Sequence, residues 1–150
     1  MDIVTPQKRS AMMSGIRGKN TKPELLVRSF LHAQGFRFRL HRKDLPGGPD
    51  IVLPKYHVCI FVHGCFWHRH PDCRLASTPK SRQEFWEPKF AGNVERDTRN
   101  QAALLASGWR VVILWECGLR KPGISGLTWL PEWILSNEFA VTWPERPDSH

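Results

Sequence analysis

The period of the apolar positions changes several times along this 150-residue chain, and each change predicts a new element. Thr5 to Arg17 reads as a short helix, with Pro6 in its first turn and Gly15 and Gly18 ending it. Thr21-Lys-Pro-Glu24 has the form of a capping box, in which the threonine oxygen takes an orphan amide and Glu24 reaches back. Leu25, Leu26, Phe30 and Leu31 then recur at helical spacing until Gly35. Phe36 to Leu40 alternates apolar and basic residues strictly, the mark of a half-buried strand. A turn cluster, Leu45 to Pro49, leads to Asp50 and the apolar triplet Ile51 to Leu53. Pro54 to Tyr56 then reads as a hairpin turn into a strand over Val58 to Val62. Residues 64–80, rich in Cys, His, Pro and Trp, predict a loop. Ser81 and Glu84 open a helix bent or broken near Pro88, which continues from Asn93 to Ala106. Trp109 to Trp115 reads as a buried strand ended by Glu116 and Cys117, followed by a short helix around Pro131 to Ser136 and a Pro-rich tail. The order α, α, β, β, β, α, β, α predicts an α/β fold with a mixed central sheet flanked by helices. One domain spans 1–150, with a basic arm over about 1–20 and a tail over about 121–150.

Composition narrows the class. Hydrophobic residues at 41% and charged residues at 24% are near the globular average, which excludes a disordered tail protein. A chain this long buries roughly 68–70% of its unfolded surface, enough for a core without disulfide staples. The start lacks the apolar segment of a secretory signal, and the longest apolar runs are far below the ~20 residues that span a bilayer. A soluble, cytoplasmic protein with no membrane partner is expected. The net charge of +8 lies entirely in residues 1–43, because residues 44–150 hold twelve basic and twelve acidic side chains. A basic arm on a neutral body points to a polyanion partner. Four cysteines in such a setting suggest metal binding or a reactive thiol rather than disulfides.

Two constellations carry chemistry. Cys65, His70 and Cys73 lie in one loop with Cys117 at the end of a strand, and three thiolates with one imidazole form a closed tetrahedral set of the kind structural zinc prefers. Cys59, mid-strand between apolar neighbours, reads as an ordinary buried cysteine. The second constellation is Asp50 after Pro49 at the head of a strand, a hard-oxygen site suited to Mg²⁺. Glu24, His63 and His68 flank the same sheet edge, and a histidine beside a metal-binding carboxylate suits a general base that activates water. In an extended loop His68 and His70 diverge, so only one of them joins the cysteines. Phe66 and Trp67 sit together inside the loop. Trp86, Lys89 and Asn93 share one helical face, offering an aromatic, a cation and an amide to nucleic-acid bases. Met12 and Met13 on the arm can wedge likewise, while Trp109, Trp115, Trp129 and Trp133 read as core and helix packing.

Phe-Val-His-Gly-Cys-Phe-Trp-His (61–68), Glu-Phe-Trp (84–86), Asn-Val-Glu-Arg-Asp (93–97), Gly-Trp-Arg-Val-x-Ile-x-Trp-Glu-Cys (108–117) and the Pro-Gly-x-Pro-Asp segment (46–50) resemble the very-short-patch-repair (Vsr) DNA mismatch endonucleases, from about Met12 to Arg120. The resemblance implies the restriction-endonuclease-like fold with a structural zinc site. It also implies strand-specific nicking of double-stranded DNA 5′ of the thymine in T:G mismatches left by 5-methylcytosine deamination. Asp50 is then the Mg²⁺ carboxylate, His68 the catalytic histidine, and Glu24, His63 and Asp97 supporting active-site residues. Val62 stands where the parent nuclease motif has an acidic residue, and a backbone carbonyl at that position is a metal ligand in the family. Cys65, His70, Cys73 and Cys117 fall on the zinc ligands. Phe66, Trp67 and Trp86 fall on a major-groove wedge and Met13 on a residue entering from the minor groove. Lys89 and Asn93 are placed to read base edges, and Arg17 and Lys19 to contact phosphates. A bacterial, nucleoid-associated protein with a functional link to a cytosine-5 DNA methyltransferase and to mismatch-repair proteins is the further expectation. Two alternatives stay open: a sequence-specific restriction-type nuclease on the same fold, which needs no wedge, and a non-catalytic zinc-dependent DNA-binding module, which would bind without nicking.

Overall fold

The structure, a computed structural model, describes residues 20–120 and 126–144. The expected helix over Thr5 to Arg17, with Met12, Met13, Arg17 and Lys19, lies outside the described residues.

Helix α1 (Lys22–Ala33) begins as the capping box requires. Thr21 is extended, and its Oγ1 accepts the Glu24 N–H at 3.3 Å. Glu24 reaches back one residue further than expected, accepting the Asn20 N–H at 3.0 Å. The buried face runs Glu24, Val27, Phe30 and Leu31, so Leu25, expected in the apolar stripe, points outward and is 46% exposed. An i, i+3, i+4 stripe centred on Val27 leaves position 25 on the opposite side.

Five strands form one sheet in the order β1 (Arg39–Leu40), β2 (Ile51–Leu53), β3 (Val58–His63), β4 (Arg110–Trp115) and β5 (Ala140–Trp143). The first three pair antiparallel through short connections, whereas β3, β4 and β5 pair parallel. A parallel pair needs a long crossover, and α3 (Gln83–Ala106) lies within the one joining β3 to β4. The middle strands are apolar on both faces because both are covered. Val58, Ile60, Val112 and Leu114 pack with Val27, Phe30 and Leu31 of α1 and with Leu130, Trp133 and Ile134 of α5 (Leu130–Ile134). Cys59, Phe61, Val111, Ile113 and Trp115 pack on the other side with Leu104 of α3.

Several local expectations are corrected. The strand over 36–40 shrinks to two paired residues, because Phe36 and Phe38 pack on the core instead of extending the ladder. Residues 64–80 hold a one-turn helix, α2 (Cys65–His68), and a 3₁₀ turn (Arg74–Ala76). Helix α3 runs unbroken through Pro88. That proline lies in the second turn, where one backbone bond is forfeited, and Trp86 stacked on Phe90 at 5.5 Å between ring centroids packs across it. Glu116 and Cys117 start a further helix, α4 (Glu116–Arg120), and the tail supplies β5. Among the described residues no helix is long and apolar enough to cross a membrane.

Candidate active site and metal centre

A cleft of about 950 Å³ opens where α1, the turn before β2, the end of β3, α2 and α3 meet. Gly47 permits this closeness: its φ is +79°, and a Cβ there would stand 3.1 Å from both Asn100 and Phe61. Asp50 heads β2 and accepts the Val62 N–H of β3 at 2.8 Å. Burial pushes its carboxyl up to about 7, against the lowering effect of that bond and with a further push from the charge of Glu24. The Glu24 carboxylate, only 2% exposed, contacts Arg28 and lies 2.6 Å from His41 Nε2. The backbone N–H of His41 in turn donates to the Asp50 carbonyl at 3.1 Å. Glu24, His41 and Asp50 offer donor atoms within 4.8 Å of one another, a group that could hold a metal ion.

On the opposite wall His63 and His68 stack with centroids 3.8 Å apart and planes 3° apart. His68 Nδ1 lies 2.6 Å from Asp97 Oδ2 of α3. A ring nitrogen facing a carboxylate carries the proton, which leaves Nε2 as the acceptor. His63 is buried, and burial, then the neighbouring His68, hold its imidazole well below the usual range, so it stays neutral. Asp50, Glu24, His63, His68, Asp97 and Val62 therefore line one cleft.

The second cluster lies behind it. Cys65, His70, Cys73 and Cys117 are all buried and place their donor atoms within 4.8 Å of one another. His70 Nδ1 is 3.6 Å from Cys65 Sγ and 3.4 Å from Cys117 Sγ. A tetrahedral zinc with ordinary Zn–S and Zn–N lengths separates such donors by about 3.6 Å, so the set fits the ion. Burial pushes the Cys65 thiol up and the Cys117 thiol up to about 11, so both keep their protons at neutral pH unless a cation replaces them. His68 and His70 do diverge, but not because the loop is extended. Arg69 and Asp72 adopt left-handed φ values of 58° and 57°, and the first turns the chain sharply after α2.

Five residues that the sequence assigns no site role shape these centres. Trp115, expected to be simple core, stacks on His70 at 4.3 Å and meets His63 edge-on at 5.1 Å, standing between the two sites. Glu116 Oε1 accepts the Cys65 N–H at 3.0 Å and anchors the start of α2. Arg69 lies over the Phe90 ring at 4.0 Å and donates to the carbonyls of Phe66 and Ser77. His41 carried no signal in the sequence. Arg28 did, as the i+4 partner of Glu24.

Phe66, Trp67 and Trp86 form one aromatic group, with Phe66 set edge-on to both tryptophans at 4.9 and 5.9 Å. Lys89 lines the cleft beside them. Asn93 donates to the Trp67 carbonyl at 3.0 Å and accepts from Arg96, so its amide holds the aromatic loop as well as facing the cleft.

The sequence that builds these centres has relatives. The profile of the family described as DNA mismatch endonuclease Vsr matches residues 1–75. The DNA mismatch endonuclease Vsr of Escherichia coli is 45% identical over 119 residues, covering 79% of this chain and 76% of that protein. The chain belongs to the Vsr family. Its relatives include the type II nicking enzyme V.XorIIP of Xanthomonas oryzae pv. oryzae, 54% identical over 81% of this chain and 89% of the relative. The type II nicking enzyme V.NmeAIP of Neisseria meningitidis is 48% identical over 82% of this chain and 87% of its own. As a Vsr-family member the chain is a DNA endonuclease.

Proposed function

We propose that this endonuclease nicks one strand of double-stranded DNA 5′ of the thymine in a T:G mismatch, using Mg²⁺ in the cleft and zinc as a structural ion, on a single domain of the restriction-endonuclease-like type. The observation that carries the reading is that Trp67 and His68 are neighbours on one helical turn, α2, backed by the cysteine cluster. A side chain inserted into the base stack and a base aimed at the adjacent phosphate are thereby held in fixed register. Unstacking costs a few kcal/mol and less where pairing is already distorted, which favours a wobble pair over a matched one.

The residues fit both ions. Asp50 is a largely enclosed carboxylate whose raised pKa is relieved by a cation. In a strand the N–H and C=O of one residue point the same way, so the Val62 N–H bonded to Asp50 supports its carbonyl as a second oxygen ligand. A bound Mg²⁺ supplies charge neutralisation at the scissile phosphate and leaving oxygen. His68, oriented by Asp97, accepts the proton of the attacking water at Nε2. Neutral His63 packs on its face, excludes solvent and adds no competing charge. Zinc held by Cys65, His70, Cys73 and Cys117 would have four protein donors, and its contribution would be to fix α2. Lys89 with Asn93 offers polar groups to displaced base edges, and Met13, Arg17 and Lys19 serve the minor groove and the phosphates.

A second reading is favoured by the relatives named type II nicking enzymes: sequence-specific nicking of intact duplex. Nicking of matched and mismatched duplexes of one sequence, with Mg²⁺ supplied or withheld, separates the two. T:G cleavage far above T:A supports the proposal, and equal cleavage supports the alternative.

A further inference from the structure

His41 has a φ of +49°, in the left-handed region, as one of six such non-glycine residues among those described, and histidine enters that region more readily than most side chains. What sets it apart is how it is held. Both ends are tied to the cleft: the N–H to the carbonyl of Asp50 and the imidazole Nε2 to Glu24. Three side chains from three separate parts of the chain thus converge, one imidazole and two carboxylates. An ion at about 2.1 Å from each donor holds them about 3–4 Å apart, so the Glu24–His41 pair at 2.6 Å would open and any wider separation, all being within 4.8 Å, would close.

We infer that His41 completes, with Glu24 and Asp50, a mixed nitrogen–oxygen site in the cleft that selects a borderline transition ion, represented by Mn²⁺, over Mg²⁺. This rests on the proposed placement of a divalent ion at Asp50. The donor chemistry gives the direction. Mg²⁺ takes oxygen and gives up water reluctantly, while a site with imidazole shifts toward first-row transition ions. Arg28 is the competing cation. Its guanidinium meets Glu24 and comes within 3.4 Å of His41 Nε2, so it neutralises the group and must withdraw when an ion binds. With a side chain 15% exposed, it has a route outward to solvent.

The test is a Mn²⁺ titration of the zinc-loaded protein without DNA, followed by electron paramagnetic resonance, with Mg²⁺ as competitor. Wild type is expected to bind Mn²⁺ at least about tenfold more tightly than Mg²⁺, with ¹⁴N modulation of the bound-ion signal. His41→Asn keeps a residue tolerant of the left-handed backbone and replaces nitrogen by oxygen. It should lower the Mn²⁺ over Mg²⁺ preference about tenfold or more and remove that modulation. Arg28→Gln should tighten both ions. His41→Asn with wild-type preference and modulation overturns the inference, as does Arg28→Gln that weakens binding. Asp50→Asn that binds Mn²⁺ like wild type instead overturns the placement of the ion at Asp50, whatever His41 does.

Discussion

The two candidate metal clusters on either side of Trp115 share histidine, yet their other donors and their surroundings suit them to opposite work. Behind the indole, three cysteines and His70 are buried together, with His70 stacked on Trp115. In front of it, carboxylates and imidazoles line an open cleft, where Glu24 meets His41, Asp50 accepts the Val62 N–H and His68 meets the Asp97 carboxylate. Soft donors closed on all sides can hold an ion but give it no substrate, whereas hard donors beside solvent leave room for water and phosphate. Chemistry follows access as much as ligand identity. The one-turn helix α2 joins the two, starting at Cys65 and ending at His68.

The comparison breaks most visibly at His68, the proposed general base. His68→Ala should lower the nicking rate by about 10²–10⁴ while leaving DNA affinity and zinc content unchanged. Single-turnover nicking measured beside a binding titration checks this. On the buried side Cys73→Ser should act through the fold: zinc is lost, thermal stability falls and nicking falls with it. A zinc-free, thermally stable and active variant would merge two roles that are here kept apart. Asp97→Asn sharpens the cleft. It keeps the shape but weakens the hold on Nδ1, and a loss of about 10–100-fold in rate with little change in substrate affinity is expected.

A smaller effect tests the wedge. Trp67→Ala should bring the ratio of T:G to T:A nicking toward one, whereas neutralising Arg17 or Lys19 should weaken all duplexes alike and flatten the salt dependence. Measuring that ratio at fixed salt distinguishes them, and a retained ratio in Trp67→Ala removes the wedge from recognition.

The smallest effect concerns Asp50 alone. Its carboxyl is raised from 3.8 to about 7 by burial, so between those values the folded protein binds a proton that the unfolded chain has lost. Stability of the metal-free protein therefore falls as pH rises through that window and stays lower above it. Asp50→Asn should raise the melting temperature of the metal-free protein by about 4 °C or more at pH 8. The gain should vanish toward pH 4, and a pH-independent gain would exclude this cause.

Much of this was legible in the chain before its fold. The capping box at Thr21, the buried strands around Val58 and Val111, and the candidate ligands Cys65, His70 and Cys73 all follow from local period or spacing. Cys117 and Asp97 emerged from family resemblance or from a strand end, because only tertiary packing brings them near their partners. His41 was invisible for a physical reason. Its role depends on a left-handed backbone and a bond to Asp50, neither of which leaves a periodic trace. The fifth strand was hidden likewise, since Ala140 to Trp143 is half exposed and gains its identity from pairing with β4. Trp115 was read as core and is core, but spacing could not show which two rings it separates.

The division between a structural and a catalytic ion is tested most directly by one experiment: dialysis against EDTA, then zinc content and T:G nicking measured on the same sample before and after Mg²⁺ is restored. One zinc per chain retained throughout, with nicking abolished by dialysis and fully recovered on adding Mg²⁺ alone, is the expected result. Nicking that persists without Mg²⁺ while zinc remains bound, or full activity in protein that has lost its zinc, contradicts the division.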